Sequence, residues 1–150
     1  IMVLNHERLL NKYKKAINAF ATLEEANNDI AFAKDFASCE RKNPEKVYKV
    51  YRDSLIQRFE YTFDMTWKYV AEFLESEGRV IENKSPKGVF RECLKAKILS
   101  ESEVRLAIIM VDHRNLSTHG YDEALIEEIV GHIPQYVILL QNILQRTRIK

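Results

Sequence analysis

The sequence predicts an all-α protein with about five helices, and three observations support this prediction. The 150 residues include only four glycines and three prolines, so few positions interrupt a helix. Apolar residues recur at three- and four-residue spacing along much of the chain, as they do on one face of a helix. Residues typical of helix starts precede several of these stretches. The length is that of one ordinary domain, and we expect a single helical domain over 1–150.

The first helix is predicted from about residue 4 to residue 26. Its apolar stripe consists of Leu9, Tyr13, Ala16, Ile17, Phe20 and Leu23. The run Asn-Asn-Asp at 27–29 is a turn signal, which predicts that the helix ends there. The segment 30–43 that follows is compatible with either a short helix or a loop.

The second helix is predicted to begin at Pro44 and to end at Gly78. It carries two apolar stripes that lie about 130° or more apart around the helix. One stripe contains Phe59, Phe63, Trp67, Val70 and Leu74, and the other contains Val47, Tyr51, Tyr61, Met65 and Tyr69. Two interpretations are open: both stripes meet neighbours within one bundle, or the second stripe meets another subunit. Because a small bundle cannot easily bury both, we predict a homodimer with Tyr51, Tyr61, Met65 and Tyr69 at its interface.

The starts of the third and fourth helices are marked by capping residues. Ser85 is a predicted N-cap and Pro86 suits the first helical position, so a short third helix is expected to reach about Lys97. Ser100 and Glu103 form the pattern of a capping box, which predicts the start of the fourth helix. The core face of that helix contains Val104, Ala107, Ile108 and Val111, and Arg114 continues the same stripe.

The fourth helix is expected to end at Thr118 or His119, because Gly120 suits the position after a helix C-cap. Asp122 then caps a last helix that runs through Leu144. Pro134 lacks a backbone donor and is predicted to kink this helix.

Charge and cysteine content exclude several classes of protein. With 23 basic and 22 acidic side chains, the chain has no overall field that attracts nucleic acid or an anionic membrane, so any phosphate chemistry must be local. Cys39 and Cys93 belong to no Cys-x-x-Cys or Cys/His pattern and are expected to be reduced thiols. No stretch provides about 18 consecutive apolar residues, and we expect a cytoplasmic protein without membrane association.

The stretch DHRNLSTHGY at 112–121 groups the residue types most suited to chemistry. Arg114 and His119 are five residues apart, which on an unbroken helix separates them by about 140°. A helix end at Gly120 would free the imidazole, so that guanidinium and imidazole could meet within one chain or across a two-fold axis. An arginine can hold a phosphate by a bidentate fork, and a histidine can move a proton near neutral pH.

A structural interpretation of the same stretch stays open. A histidine near a helix C-terminus is favoured by the helix dipole, and Tyr121 could simply pack as an apolar neighbour. A metal site is not expected, because His113 and His119 lack i, i+4 spacing and the other histidines, His6 and His132, have no local carboxylate partners in a metal-binding pattern. We therefore predict no metal and no other cofactor.

Two stretches together carry a family resemblance: RDSLIQRFEYTFDMTWKYVAEFLESEG at 52–78 and RNLSTHGYDE at 114–123. They resemble the HEPN superfamily, in particular its nucleotidyltransferase substrate-binding proteins, which include the HepT-type toxins. The motif of that group is complete here as Arg114, Asn115, His119 and Tyr121. The resemblance implies an up-and-down helical bundle that forms a dimer, with the two copies of the motif close to the dimer cleft.

The resemblance also implies roles for these residues. Arg114 and His119 would cleave RNA without a metal, and Asn115 would support the site. Tyr121 would accept adenylyl groups from a partner minimal nucleotidyltransferase, the antitoxin, which silences the toxin. The alternative is a non-catalytic subunit that presents a nucleotide or another substrate to the nucleotidyltransferase, and the neutral overall charge favours it. The complete motif favours the nuclease, and a structural helical dimer without any site is a third possibility.

Overall fold

The computed structural model describes residues 2–39, 43–118 and 122–149, and for Met2 and residues 34–39 it describes the backbone alone. These ranges form five helices and contain no strand: α1 (Met2–Cys39), α2 (Pro44–Ser76), α3 (Pro86–Lys95), α4 (Glu101–Leu116) and α5 (Glu123–Arg146). The prediction of an all-α bundle of about five helices is confirmed. One hydrophobic core contains side chains from all five helices. None of the described helices has a stretch long and apolar enough to cross a bilayer.

Helix α1 is much longer than predicted, and the turn expected at 27–29 is wrong. The helix continues because its next two turns still have a surface to pack on. Ala26 and Ala33 are buried, and Ile30 packs against the core from the same face. α1 makes its most extensive contact with α2, and this tertiary packing outweighs the weak local preference of Asn27 and Asn28 for a turn.

Helix α2 begins and ends where its sequence predicts. The side chain of Asn43 accepts hydrogen bonds from the backbone N–H groups of Glu45 and Lys46, and Pro44 occupies the first turn. Gly78 has a φ of 85°, the left-handed conformation that glycine adopts readily after a helix. The first predicted stripe faces the core, with Phe59, Phe63, Val70 and Leu74 buried. Trp67, in the same stripe, is only half-buried.

Only some residues of the second predicted stripe of α2 lie at the surface. Tyr69 is fully buried, its ring lies 5.1 Å from that of Tyr13, and its hydroxyl donates to the carbonyl of Thr147. The assignment of Tyr69 to a dimer interface is therefore wrong, because α1 and the end of α5 cover this face of α2. Met65 is half-buried and packs against the core. Tyr51 and Tyr61 are 38% and 54% exposed, so these two residues still line a surface.

The capping predictions for the remaining helices are confirmed. The Ser85 side chain accepts from the Gly88 N–H, and Ser100 and Glu103 make both hydrogen bonds of a capping box. Helix α3 ends at Lys95, slightly before the predicted Lys97, which has a positive φ of 61° and forms the turn.

The last helices leave a short connection between them. Helix α4 ends at Leu116 with Ser117 as its C-cap, before the predicted end at Thr118 or His119. Asp122 caps α5 as predicted by accepting from the Leu125 N–H, and α5 runs through Pro134 without ending. Within the core, Tyr136 of α5 stacks on Phe59 of α2 with 5.5 Å between ring centroids. This stacking holds α5 against α2.

Candidate functional site

The predicted site residues lie at the end of α4 and just beyond it. Arg114 and Asn115 occupy the last turn of the helix. His119, Gly120 and Tyr121 lie outside the described residues. The structure therefore places one half of the predicted motif, together with both flanking helix ends.

Arg114 is held by two carboxylates of α2. Its Nε and Nη2 lie 3.3 and 3.0 Å from the two oxygens of Asp64, which makes a bidentate pair. Its Nη1 donates to Glu60 Oε2 at 2.8 Å. A guanidinium has five N–H groups, and three of them donate to these carboxylates; the other two have no acceptor among the described residues. The guanidinium is therefore fixed in orientation before any phosphate binds.

Ser117 adds a further contact to this network, and sequence reasoning missed it. Its Oγ lies 2.9 Å from Glu60 Oε2 and 2.7 Å from the carbonyl oxygen of Arg114. The hydroxyl has one proton for these two acceptors, and the residue is buried. Ser117 therefore links the C-terminal end of α4 to the carboxylate that holds Arg114.

The positive charge of Arg114 is compensated by the neighbouring carboxylates of Glu60 and Asp64. Partial burial lowers the pKa of the guanidinium, but Asp64 and Glu60 raise it more, and the net shift of its pKa is upward. The guanidinium stays charged at all physiological pH values. With one positive and two negative groups, the network carries a local charge of −1 when all three are ionised. Arg114 is thus a well-oriented donor rather than a free cation.

A surface groove adjoins this network. It has a volume of about 420 Å³ and lies between α2, the start of α3 and the end of α4. Arg114 shares it with Asp64, Trp67, Lys68, Pro86, Asn115 and Thr118. The side chain of Asn115 is exposed there, and Thr118 donates to the Asn115 carbonyl oxygen at 3.0 Å. An aromatic ring, an ammonium and an amide thus lie beside the motif arginine.

The start of α5 is also fixed to α2, through a buried arginine. Arg52 is only 5% exposed and donates to Glu123 and Glu127 in the first turns of α5. The hydrogen bond from Arg52 lowers the pKa of Glu123. Tyr48 also donates to Glu127, at 2.7 Å. Both ends of the segment that carries His119 are therefore anchored on one helix.

His113, the other histidine of the motif stretch, belongs to the core. It is buried, and its Nδ1 forms a hydrogen bond with the Tyr136 hydroxyl. The ring of His132 lies edge-on to it with centroids 4.9 Å apart. Burial, and then the nearby His132, lower the pKa of His113, while Glu128 and Asp112 raise it to a lesser extent. His113 therefore joins α4 to α5 and takes no part in the Arg114 network.

The described residues contain no group of three His, Cys, Asp or Glu side chains arranged to hold a metal. Cys93 is buried and unpaired, and burial raises the pKa of its thiol to about 12. A thiol with so high a pKa is a poor nucleophile, because the thiolate is the reactive form.

Comparison with known proteins identifies the family. The family model described as nucleotidyltransferase substrate binding protein like matches residues 9–149. The chain belongs to this family. A crystal structure of a protein from Thermus thermophilus is similar, with 41% sequence identity and a TM-score of 0.71, covering 89% of this chain and 99% of that one. No curated protein matches the chain. The predicted kinship with nucleotidyltransferase substrate-binding proteins is confirmed.

The buried His113 leads to a prediction about pH and stability. Its pKa in the folded protein lies below the unfolded value of about 6.5, so the unfolded chain binds more protons as the pH falls. We expect this contribution to stability to be complete above about pH 6.5 and to be lost as the pH falls through the folded pKa. His113→Asn keeps a polar atom near Tyr136 but does not titrate. Urea unfolding at pH 7.5, 6.5 and 5.5 should show a smaller loss of unfolding free energy for His113→Asn than for wild type.

The control for this experiment is His6→Asn, because His6 is exposed near the start of α1. That variant should keep the wild-type pH dependence. Equal pH dependence in wild type and His113→Asn would contradict the assignment of the effect to His113.

Proposed function

We propose that the protein is a HEPN-like partner of a minimal nucleotidyltransferase and acts as a metal-independent endoribonuclease. Arg114, His119 and Asn115 form its site in this proposal, and Tyr121 accepts an adenylyl group that silences it. The family membership supports the nucleotidyltransferase partner. The observation that supports nuclease activity is the oriented guanidinium of Arg114, which lines an exposed groove and has two N–H groups without an acceptor in the described part of the chain.

The proposed reaction is an intramolecular transesterification of the RNA backbone. The ribose 2′-hydroxyl loses a proton and its oxygen bonds to the adjacent phosphorus, while the bond from phosphorus to O5′ breaks and O5′ takes up a proton. His119, of the same chain or of a dimer partner, moves these protons. The two remaining N–H groups of Arg114 stabilise the negative charge on the phosphoryl oxygens. The products are a 2′,3′-cyclic phosphate and a 5′-hydroxyl.

Asp64 and Glu60 have a defined part in this proposal. They hold the guanidinium in place, so little reorganisation is needed when the transition state forms. They also compensate its charge, which limits the attraction of a ground-state phosphodiester. Preferential stabilisation of the transition state over the substrate is the condition for a catalytic effect.

The second candidate function is a non-catalytic subunit that presents a nucleotide to the nucleotidyltransferase. One observation favours it: the carboxylates of Asp64 and Glu60 already accept hydrogen bonds from three of the five N–H groups of Arg114. A site that only binds a nucleotide needs orientation and a few donors, which this network supplies. The two candidates differ in whether the chain alone cleaves RNA.

The first prediction concerns cleavage. Purified, unmodified protein should cut single-stranded RNA in EDTA and should leave DNA intact, because DNA lacks the 2′-hydroxyl. His119→Ala should lower the rate by roughly 10² to 10⁴, the usual contribution of general acid-base catalysis. Arg114→Lys should restore only part of the activity lost in Arg114→Ala, because an ammonium cannot pair with Asp64 and Glu60 and still offer a planar pair of donors.

Arg105→Lys is the matched control, since Arg105 is exposed on the same helix and lies nine residues before Arg114. It should cleave like wild type. Undiminished cleavage by His119→Ala would point to a contaminating nuclease. If clean wild type cuts none of several RNAs but binds a nucleotidyltransferase, the nuclease proposal fails and the binding subunit remains.

The second prediction concerns adenylylation. Incubation with a cognate minimal nucleotidyltransferase, ATP and magnesium should add adenylyl mass at Tyr121, read by intact-mass and peptide mass spectrometry. The added phosphate is negative and competes for Arg114, so the modified protein should lose cleavage activity. Tyr121→Phe should remain unmodified, whereas Tyr61→Phe, which removes the hydroxyl of an exposed tyrosine of α2, should be modified like wild type. Persistent modification of Tyr121→Phe would show that another residue is the acceptor.

The third prediction concerns the homodimer. Tyr51 and Tyr61 are exposed on α2, and Val50, next to Tyr51 in the sequence, is 64% exposed, which supports an apolar contact surface on this helix. Light scattering at micromolar concentration should give twice the chain mass of 17.6 kDa. Tyr51→Glu together with Tyr61→Glu should weaken the dimer, because buried unpaired charges are costly. Ile138→Glu, on an exposed position of α5, should leave it intact, and a wild-type monomer would refute the proposal.

A further inference from the structure

The groove beside Arg114 is lined by apolar, cationic and hydroxyl side chains that have no part in the proposed reaction. Trp67 supplies an aromatic ring on its α2 wall, and Pro86 at the start of α3 lines the same space. Lys68 is exposed at the groove and makes no ion pair within the described part of the chain. Thr118 adds a hydroxyl at the end of α4. Trp67 belongs to the predicted core stripe of α2 and packs against the core, but it is only half-buried and also lines the groove.

From these groups we infer that Trp67 is the stacking residue for the base of a nucleotide whose phosphate lies toward Lys68 and Arg114. An aromatic ring with a nearby cation is the combination that binds single-stranded nucleic acids, because every base offers a flat face and every nucleotide a phosphate. The volume of about 420 Å³ is within the range of about 300–1,000 Å³ found for small-molecule sites.

The position of the groove determines which nucleotide Trp67 would bind. Arg114 and Asn115 line the groove, so a base there belongs to a nucleotide that adjoins the phosphate held by Arg114. Trp67 is thus a binding residue that touches the ligand but not the reacting atoms, and it contributes affinity for a base without a preference among bases. This inference rests on the proposed function for the kind of ligand, a nucleotide, and it applies to both a strand of RNA and a free mononucleotide.

The fixed carboxylates strengthen this argument. Since Asp64 and Glu60 compensate the charge of Arg114, electrostatic attraction alone gives little affinity at this site. Part of the affinity must therefore come from contacts that do not depend on net charge, and a ring on the groove wall provides one. Lys68 then contributes the uncompensated positive charge beside the groove.

The test uses the fluorescence of Trp67, which is the only tryptophan of the chain. The protein is titrated with AMP, with UMP, and with a single-stranded 2′-O-methyl oligonucleotide, which cannot be cleaved because its 2′-oxygen is blocked. Stacking should quench the emission in a saturable way. Quenching by the mononucleotides identifies a free nucleotide as a sufficient ligand, and quenching by the oligonucleotide alone identifies a strand.

Binding of the labelled oligonucleotide, followed by anisotropy, tests the role of the ring itself. Trp67→Leu should weaken binding by about 5- to 150-fold, the loss expected for removing one stacked base. Trp67→Phe should restore part of that loss, because it keeps an aromatic face. In cleavage assays, Trp67→Leu should raise KM with little change in kcat. Phe73→Leu is the matched control, a half-buried aromatic of α2 away from this groove, and should bind like wild type.

The outcomes separate this inference from the proposed function. Quenching that saturates, together with weaker binding by Trp67→Leu, supports the base subsite even if the protein cleaves no RNA. Cleavage that depends on Arg114, without any quenching and with unchanged binding and KM in Trp67→Leu, overturns the subsite and leaves the nuclease intact. If Trp67→Leu and Phe73→Leu weaken binding equally, the effect is structural and the inference fails.

Discussion

Two arginine networks centred on α2 determine the geometry on which the candidate site depends. Arg114 joins the end of α4 to Asp64 and Glu60, and Arg52 joins α2 to the first turns of α5. Since α2 packs against α1, α3, α4 and α5, it acts as the common reference for both ends of the motif segment. The stacked rings of Phe59 and Tyr136 keep α5 at a fixed position against the same helix. Helix α2 thus positions both ends of the motif segment, although α2 contains none of the motif residues.

These ion pairs differ in their physical setting. Arg52 is nearly buried while its carboxylate partners are largely exposed, so water still reaches one side of that pair. Arg114 and its partners are all partly buried, and the bidentate geometry with Asp64 defines the plane of the guanidinium. A partly buried charge that lost its partner would be costly, so each arginine requires its carboxylates. Orientation, rather than a large gain in stability, is the main effect of both networks.

Local features of the fold could be predicted from the sequence, and long-range ones could not. Ser85, Ser100 and Asp122 cap their helices as predicted, because a cap depends on residues only three positions apart. The turn expected at 27–29 fails because packing on α2 decides the length of α1. Tyr69 was assigned to a surface because a helix face cannot show from sequence alone which neighbour covers it.

In the candidate site too, local features could be predicted from the sequence and long-range contacts could not. The motif identifies Arg114, but its partners Glu60 and Asp64 lie 54 and 50 residues away, and no pattern around the arginine indicates them. The only signal is that the two carboxylates are four residues apart on α2 and so share one face. Ser117 and Arg52 likewise act through tertiary contacts, and the sequence offers no spacing that marks them.

The compensated charge of Arg114 has a consequence for how the site responds to ionic strength. Proteins that neutralise many phosphates release the counterions condensed on nucleic acid, and their affinity falls steeply as salt is added. Here the guanidinium already has two built-in counterions in Asp64 and Glu60. In the proposed complex, Arg114 therefore adds little to the number of mobile ions that a bound polyanion displaces, and its share of the salt dependence of the affinity is small. In the proposed complex, stacking of a base therefore provides affinity that persists at salt concentrations where purely electrostatic binders release their ligands.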